Sequence, residues 1–84
     1  MEVSLGVLPD YLYDGKGMRI DGVREGKPAQ LAGIIKGDII VEMNGIEISD
    51  IYKYMEVLGA FHKGDKTSIK ILREGKEMEL EVIF

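Results

Sequence analysis

One histidine, three serines and no cysteine are a sparse set for nucleophilic or general-base chemistry in 84 residues. His62 stands in the loop-like run Phe61-His62-Lys63-Gly64, where a solvated side chain is the ordinary reading. A nucleophilic serine needs a base that is itself oriented by a third group, and Ser4, Ser49 and Ser68 have no such partners in the pattern. A zinc site needs three or four ligands, and a single imidazole with no thiol does not supply them. Asp21 with Glu25, and Glu77 with Glu79 and Glu81, are spaced as solvated faces of a loop and a strand. The glycines form neither GxGxxG nor a P-loop. No catalytic residue, metal ligand or cofactor is therefore expected: the chain reads as a non-catalytic domain.

The charge balance narrows the partners further. Net charge is −4, with no basic patch to engage nucleic-acid phosphates or an anionic membrane surface. No apolar run approaches the roughly 18 residues of a membrane helix, and no signal-peptide pattern opens the chain. A hydrophobic share of 45% is too high for disorder. Residues 1–84 are expected to form a single domain, cut from a longer protein and monomeric in isolation. Without cysteine, composition leaves the redox compartment open.

The stretch from Ala32 to Gly45 positions everything else. Pro28 suits a first helical turn, and a short helix over about residues 29–32 should bury Ala29, Leu31 and Ala32. Gly33 then ends it in the left-handed conformation. Lys36-Gly37-Asp38 feeds the β-branched strand Ile39 to Val41, and Asn44-Gly45 closes it in a type I′ turn. Before this core, a strand is expected from Val7 to Tyr13, bulged near Pro9, with a hairpin turn at residues 14–17. The return strand Met18–Val23 should point Met18, Ile20 and Val23 inward. After the core, Ser49 and Asp50 are N-cap candidates for a helix with Ile51, Met55 and Leu58 on its core face, ending near Gly59. Strands follow at residues 67–72 and at Met78 to Phe84, where apolar and acidic residues alternate. Met18, Met43, Met55 and Met78 read as core filler. Tyr52 should be exposed, and Tyr11 and Tyr13 either pack an edge or rim a binding site. The fold class is mostly β with two helices, a small antiparallel β-barrel or sandwich.

Pro28-Ala29, Ala32-Gly33-Ile34, Gly37-Asp38, Ile40-Val41 and Met43-Asn44-Gly45 together resemble the central signature of PDZ domains. Ser4-Leu5-Gly6-Val7 resembles the carboxylate-binding loop of that family. There a glycine turns the backbone so that successive N–H groups converge on one anion, and the donors here would be the amides of Leu5, Gly6 and Val7. The resemblance implies a peptide groove between the strand of residues 7–13 and the helix of residues 50–58, filled by β-strand addition. Its peptide-binding residues would be Leu5, Gly6, Val7, Leu8, Pro9, Asp50, Tyr54 and Val57. Asp50, Tyr54 and Val57 form the groove-facing stripe, with Val57, Leu5 and Val7 around a terminal side chain. Asp50 would be groove residue, N-cap, or both.

The carboxylate loop comes first and the long alternating strand last. That order resembles the circularly permuted PDZ domains of bacterial proteases. The run Leu8-Pro9-Asp10-Tyr11, with Asp50-Ile51 and Tyr54-Met55, looks most like the C-terminal PDZ domain of bacterial zinc-aminopeptidase-like proteins. The resemblance implies a module that captures a peptide or protein C-terminus for an attached peptidase, in the cell envelope or secreted. The alternative is a structural or regulatory domain packed on the catalytic domain without binding free peptide. Two features favour the alternative. Pro9 lacks an N–H where the strand should donate one, and Glu2 sets negative charge near the loop with no upstream cation.

Overall fold

The computed structural model describes residues 2–84. Strands β1 (Val7–Pro9) and β2 (Met18–Val23) lead into helix α1 (Pro28–Ala32) and strand β3 (Ile39–Met43). The two-residue strand β4 (Ile46–Glu47), helix α2 (Ile51–Leu58) and strands β5 (Lys66–Arg73) and β6 (Lys76–Ile83) follow. All pairings are antiparallel, in the order β1-β2-β3-β5-β6 with β4 beside β3. The mostly β, two-helix architecture is as expected.

The local signals that carried the reading hold in detail. Gly33 takes φ 97° and its N–H donates to the carbonyls closing α1. Asn44 and Gly45 have φ 53° and 75°, the paired positive values of a type I′ turn. Pro28 opens α1, and Asp50 caps α2 by accepting the Lys53 N–H at 2.9 Å. The register of β1 on β2 shifts between Leu8 and Pro9, so the bulge sits at the expected proline.

Three expectations fail, each for a tertiary reason. The first strand ends at Pro9 rather than Tyr13; residues 10–17 form a loop in which Asp10 accepts the Leu12 N–H and binds Arg19. Leu31 is 77% exposed, because so short a helix buries one narrow stripe, here Ala29. In α2 the buried residues are Tyr54, Val57 and Leu58, while Met55 is 47% exposed. Apolar residues cover a wide arc of this helix, and the bulky Tyr54 ring takes the core place assigned to Met55.

The core runs through Leu5, Ile20, Ile34, Ile40, Met43, Ile48, Ile69, Ile71 and Val82, all inaccessible or nearly so. One buried charge is fully satisfied. Asp38 accepts Nε and Nη2 of Arg73 at 2.9 and 2.8 Å and the Ile35 N–H at 2.9 Å. Arg73 Nη2 also donates to the Gly33 carbonyl at 2.8 Å. This bidentate pair locks the α1–β3 connection onto the end of β5, and from there the backbone reaches β2. Ile20 N–H donates to the Asp38 carbonyl, and Gly37 N–H to the Ile20 carbonyl, both at 2.8 Å.

Candidate functional site

Those two bonds decide which way β1 faces. Ile20 lies opposite Pro9 but turns its backbone groups toward Gly37 and Asp38, so the fold never calls on an N–H at position 9. Flanking it, the Gly6 carbonyl accepts the Arg24 N–H and the Asp10 N–H donates to the Arg19 carbonyl, both at 2.9 Å. Antiparallel alternation then directs the backbone of Val7 and Pro9 outward. β1 ends the strand order, so this side is an unpaired edge. Proline is tolerated on such an edge.

The loop entering β1 is tightly held. Gly6 has φ 79°, and a Cβ there would collide with the side chain of Lys27. Only glycine fits, for two independent reasons. The Leu5 carbonyl accepts the Ala29 N–H at 2.9 Å, which seats the loop against the start of α1. Of the three expected donors, the Gly6 N–H already has a partner, the Ser4 hydroxyl at 3.2 Å. An anion arriving there meets a hydroxyl that must move aside or rotate to join it.

The other proposed site residues fall into two groups. Leu5, Tyr54 and Val57 are buried in the core, with Val7 packed against it, so they floor the region between β1 and α2. Burial of Tyr54 pushes its phenol well above the ordinary range. Leu8 is exposed and Pro9 half-buried. Asp50 is exposed at the first turn of α2 and serves as its N-cap.

Charge around the loop is arranged by residues far apart in sequence. Glu2 accepts the Lys63 N–H at 3.0 Å, and its other oxygen lies 2.8 Å from Nδ1 of His62. His62, exposed as expected, thereby holds the Glu2 carboxyl below its usual range, and Glu2 raises the imidazole. A cavity of about 320 Å³ reaching the loop at Ser4 has Lys27, Lys63 and Glu2 in its wall, with Phe84. Both lysines lie downstream of the loop in the chain. Their only sequence signal is a lysine just before Pro28 and another just after His62.

A PDZ domain family model matches residues 3–84. The chain is a PDZ domain. It is 39% identical over 80 residues to the serine protease Do-like HtrB of Bacillus subtilis (strain 168), covering 94% of this chain and 17% of that protein. It is 37% identical over 67 residues to a probable periplasmic serine endoprotease DegP-like of Hahella chejuensis, covering 80% of this chain and 14% of that protein. Among solved structures, the HtrA-type protease AlgW with decapeptide superposes with a TM-score of 0.85 at 28% identity, over 95% of this chain and 28% of that one.

This PDZ domain is thus related to those of HtrA- and DegP-type serine proteases and spans about a sixth of the B. subtilis relative. It corresponds to their non-catalytic PDZ part, not to their protease domain. An aminopeptidase N family protein from Idiomarina loihiensis also superposes, with a TM-score of 0.87 over 98% of this chain and 14% of that one. At 22% identity that likeness concerns the fold alone. The expected kinship with zinc-aminopeptidase-like proteins gives way to the HtrA type. The run of residues 8–11 that suggested it lies at the end of β1 and in the following loop, a place where sequences drift easily.

Proposed function

We propose that this PDZ domain binds an extended peptide end by adding it as a strand along β1. The terminal carboxylate is received by the amides of Leu5, Gly6 and Val7, and the chain is gripped along Val7, Leu8 and Pro9. Asp50, Tyr54 and Val57 form the opposite wall and floor. The observation that carries this reading is the outward-facing edge of Val7–Pro9, continuous with a loop turned by Gly6 at φ 79°. Lys27 and Lys63 wall a cavity that borders the loop at Ser4, together with Glu2. The AlgW structure with decapeptide is a related domain's protein with a peptide present, which supports the reading for this chain.

The domain serves an attached HtrA-type serine protease in the cell envelope; the supporting relatives are described as periplasmic endoproteases. Residues 1–84 act as one unit within that longer protein and are monomeric when isolated. The order of elements, with the carboxylate loop opening the domain and β6 closing it, supports the circularly permuted arrangement. The burial of Leu5 and Val57 and the missing N–H of Pro9 favour a second reading, in which the domain packs on its catalytic domain and takes no free peptide.

An amide NMR titration with paired peptide pools, free acid and amidated, separates the two. Strand addition with end capture shifts Leu5, Gly6, Val7 and Val57 only with the free acids. Equal shifts with both pools indicate internal segments instead. Silence with both pools leaves the packing role standing.

A further inference from the structure

Both ends of the described chain come to one place. Glu2 accepts the Lys63 N–H at 3.0 Å. The Gly64 N–H donates to the Phe84 carbonyl at 2.7 Å, and the Phe84 N–H to the Asp65 carbonyl at 2.8 Å. The loop of residues 62–65 thus holds the first described residue and the last. Glu2 and Phe84 share the wall of the cavity of about 320 Å³ with Pro28. Polypeptide joined to either end departs beside Pro28.

Past Pro28 the surface turns apolar. A second cavity, of about 160 Å³, is walled by Pro28, Leu31, Ala32, Glu81 and Ile83, from α1 and β6. Leu31 projects outward because α1 buries only Ala29. In β6 the outward row Glu77, Glu79, Glu81 continues to Ile83, which is 60% exposed. Alternation calls for another polar side chain there, and the core needs neither Leu31 nor Ile83. A single exposed apolar residue is ordinary, but two large ones sharing a cleft are the beginning of a docking surface.

The size of the patch decides what covers it. A stable dimer buries about 800 Å² and about 20–30 residues on each partner, and a cleft of these few residues falls far short. A tethered partner needs much less, since covalent attachment raises its effective concentration to about the millimolar range. The chain spans 17% of the B. subtilis relative, so in a protein of that plan most of the polypeptide is attached at these ends.

We propose that Pro28, Leu31 and Ile83 seat the neighbouring domain of the same polypeptide, which inserts apolar side chains into the cleft between α1 and β6. The inference rests on the reading of this chain as one unit of a longer protein. It also joins two readings set apart above. β6 and β1 end opposite sides of the strand order, so the domain packs on its neighbour and keeps β1 open for peptide.

The test is thiol alkylation in the full-length parent protein, with thiols outside this domain replaced by serine; the domain itself has no cysteine. Leu31→Cys and Ile83→Cys are compared with Leu12→Cys, at a position 93% exposed in the loop of residues 10–17. Each rate is divided by that of the same variant unfolded in urea. Burial of one aliphatic side chain shifts a population about ten-fold or more, so the two patch probes should react about ten-fold more slowly than Leu12→Cys. Ile83→Glu should bring Leu31→Cys back to within about two-fold of Leu12→Cys, because a carboxylate buried without a partner opposes closure. Equal rates at all three probes overturn the inference and leave end capture and attachment intact. Slow labelling that survives Ile83→Glu, or that deepens with protein concentration, also overturns it, the latter by assigning the patch to a second copy. A parent polypeptide without a second domain overturns the inference together with the reading it rests on.

Discussion

The sheet ends at β1 on one side and at β6 on the other. β1 is three residues long, carries no charge, and is bulged at a proline. β6 is eight residues long, with Glu77, Glu79 and Glu81 exposed along it and α1 packed against it. Length and regularity make a better template for a new strand, so geometry alone would favour addition at β6. Its charges oppose that, since acidic side chains repeated along an edge repel an incoming copy. The short edge is left open beside the turn at Gly6, proposed above to receive a carboxylate, and the long edge carries the acidic side chains.

The largest effect should come from removing what aims β1. Asp38→Ala leaves Arg73 and the Ile35 N–H without their acceptor and loosens the connection that holds Ile20. A loss of about 3 kcal/mol in chemical denaturation is expected, at the low end for a broken buried pair because Arg73 is partly exposed. A loss under about 1 kcal/mol would mean that the pair does not hold the edge.

Left-handed glycines stand near both edges and should respond differently. Gly75 has φ 79° with open space around a Cβ, so Gly75→Ala should cost about 1 kcal/mol. Gly6→Ala adds the collision with Lys27 and should cost about 2 kcal/mol or more, together with the loss of free-acid peptide shifts. Equal costs at the two sites would remove the claim that the loop before β1 is specially built.

Pro9→Ala restores an outward N–H. Peptide affinity should rise about five-fold, the equivalent of one neutral hydrogen bond, with stability changed by less than about 1 kcal/mol. Unchanged affinity in calorimetry would show that the peptide skips that position. At the other edge, replacing Glu77, Glu79 and Glu81 together by Gln should produce concentration-dependent self-association in sedimentation. A variant that stays monomeric at high concentration would show that α1, rather than charge, protects β6.

The smallest effect concerns the clasp between Glu2 and His62. The imidazole pKa is raised in the fold, so its contribution is complete below the ordinary histidine range and disappears as pH rises through the folded value. The Glu2 pKa is lowered, so its contribution is present above the ordinary carboxylate range and disappears as pH falls through the folded value. The clasp is therefore strongest in the mildly acidic window between them. Glu2→Gln should bring the His62 titration, followed by NMR, back down toward its ordinary value. A titration midpoint unmoved by Glu2→Gln would rule the clasp out.

Most of the fold was legible because its signals are local. Pro28, Gly33, Asn44-Gly45 and Asp50 each act through their own backbone neighbours, and the alternation in β6 needs only one buried face. The loop at residues 4–7 was legible too, since the turn needs a glycine. The face of α2 was not. Its apolar arc permits more than one rotation, and only the space beneath the sheet selects Tyr54 over Met55. The same holds for Leu31, whose exposure depends on how α1 lies beside β6.

By itself the sequence determined the order of elements, the positions of the turns and caps, and membership of the PDZ family. Each of these follows from residue types acting within a few positions of one another. Tertiary structure alone decided the outward direction of the β1 edge, the harmlessness of Pro9 within the sheet, and the meeting of Glu2 with His62 and of Gly6 with Lys27. Those depend on contacts between segments up to 60 residues apart, and such contacts exist only once the core has closed around them.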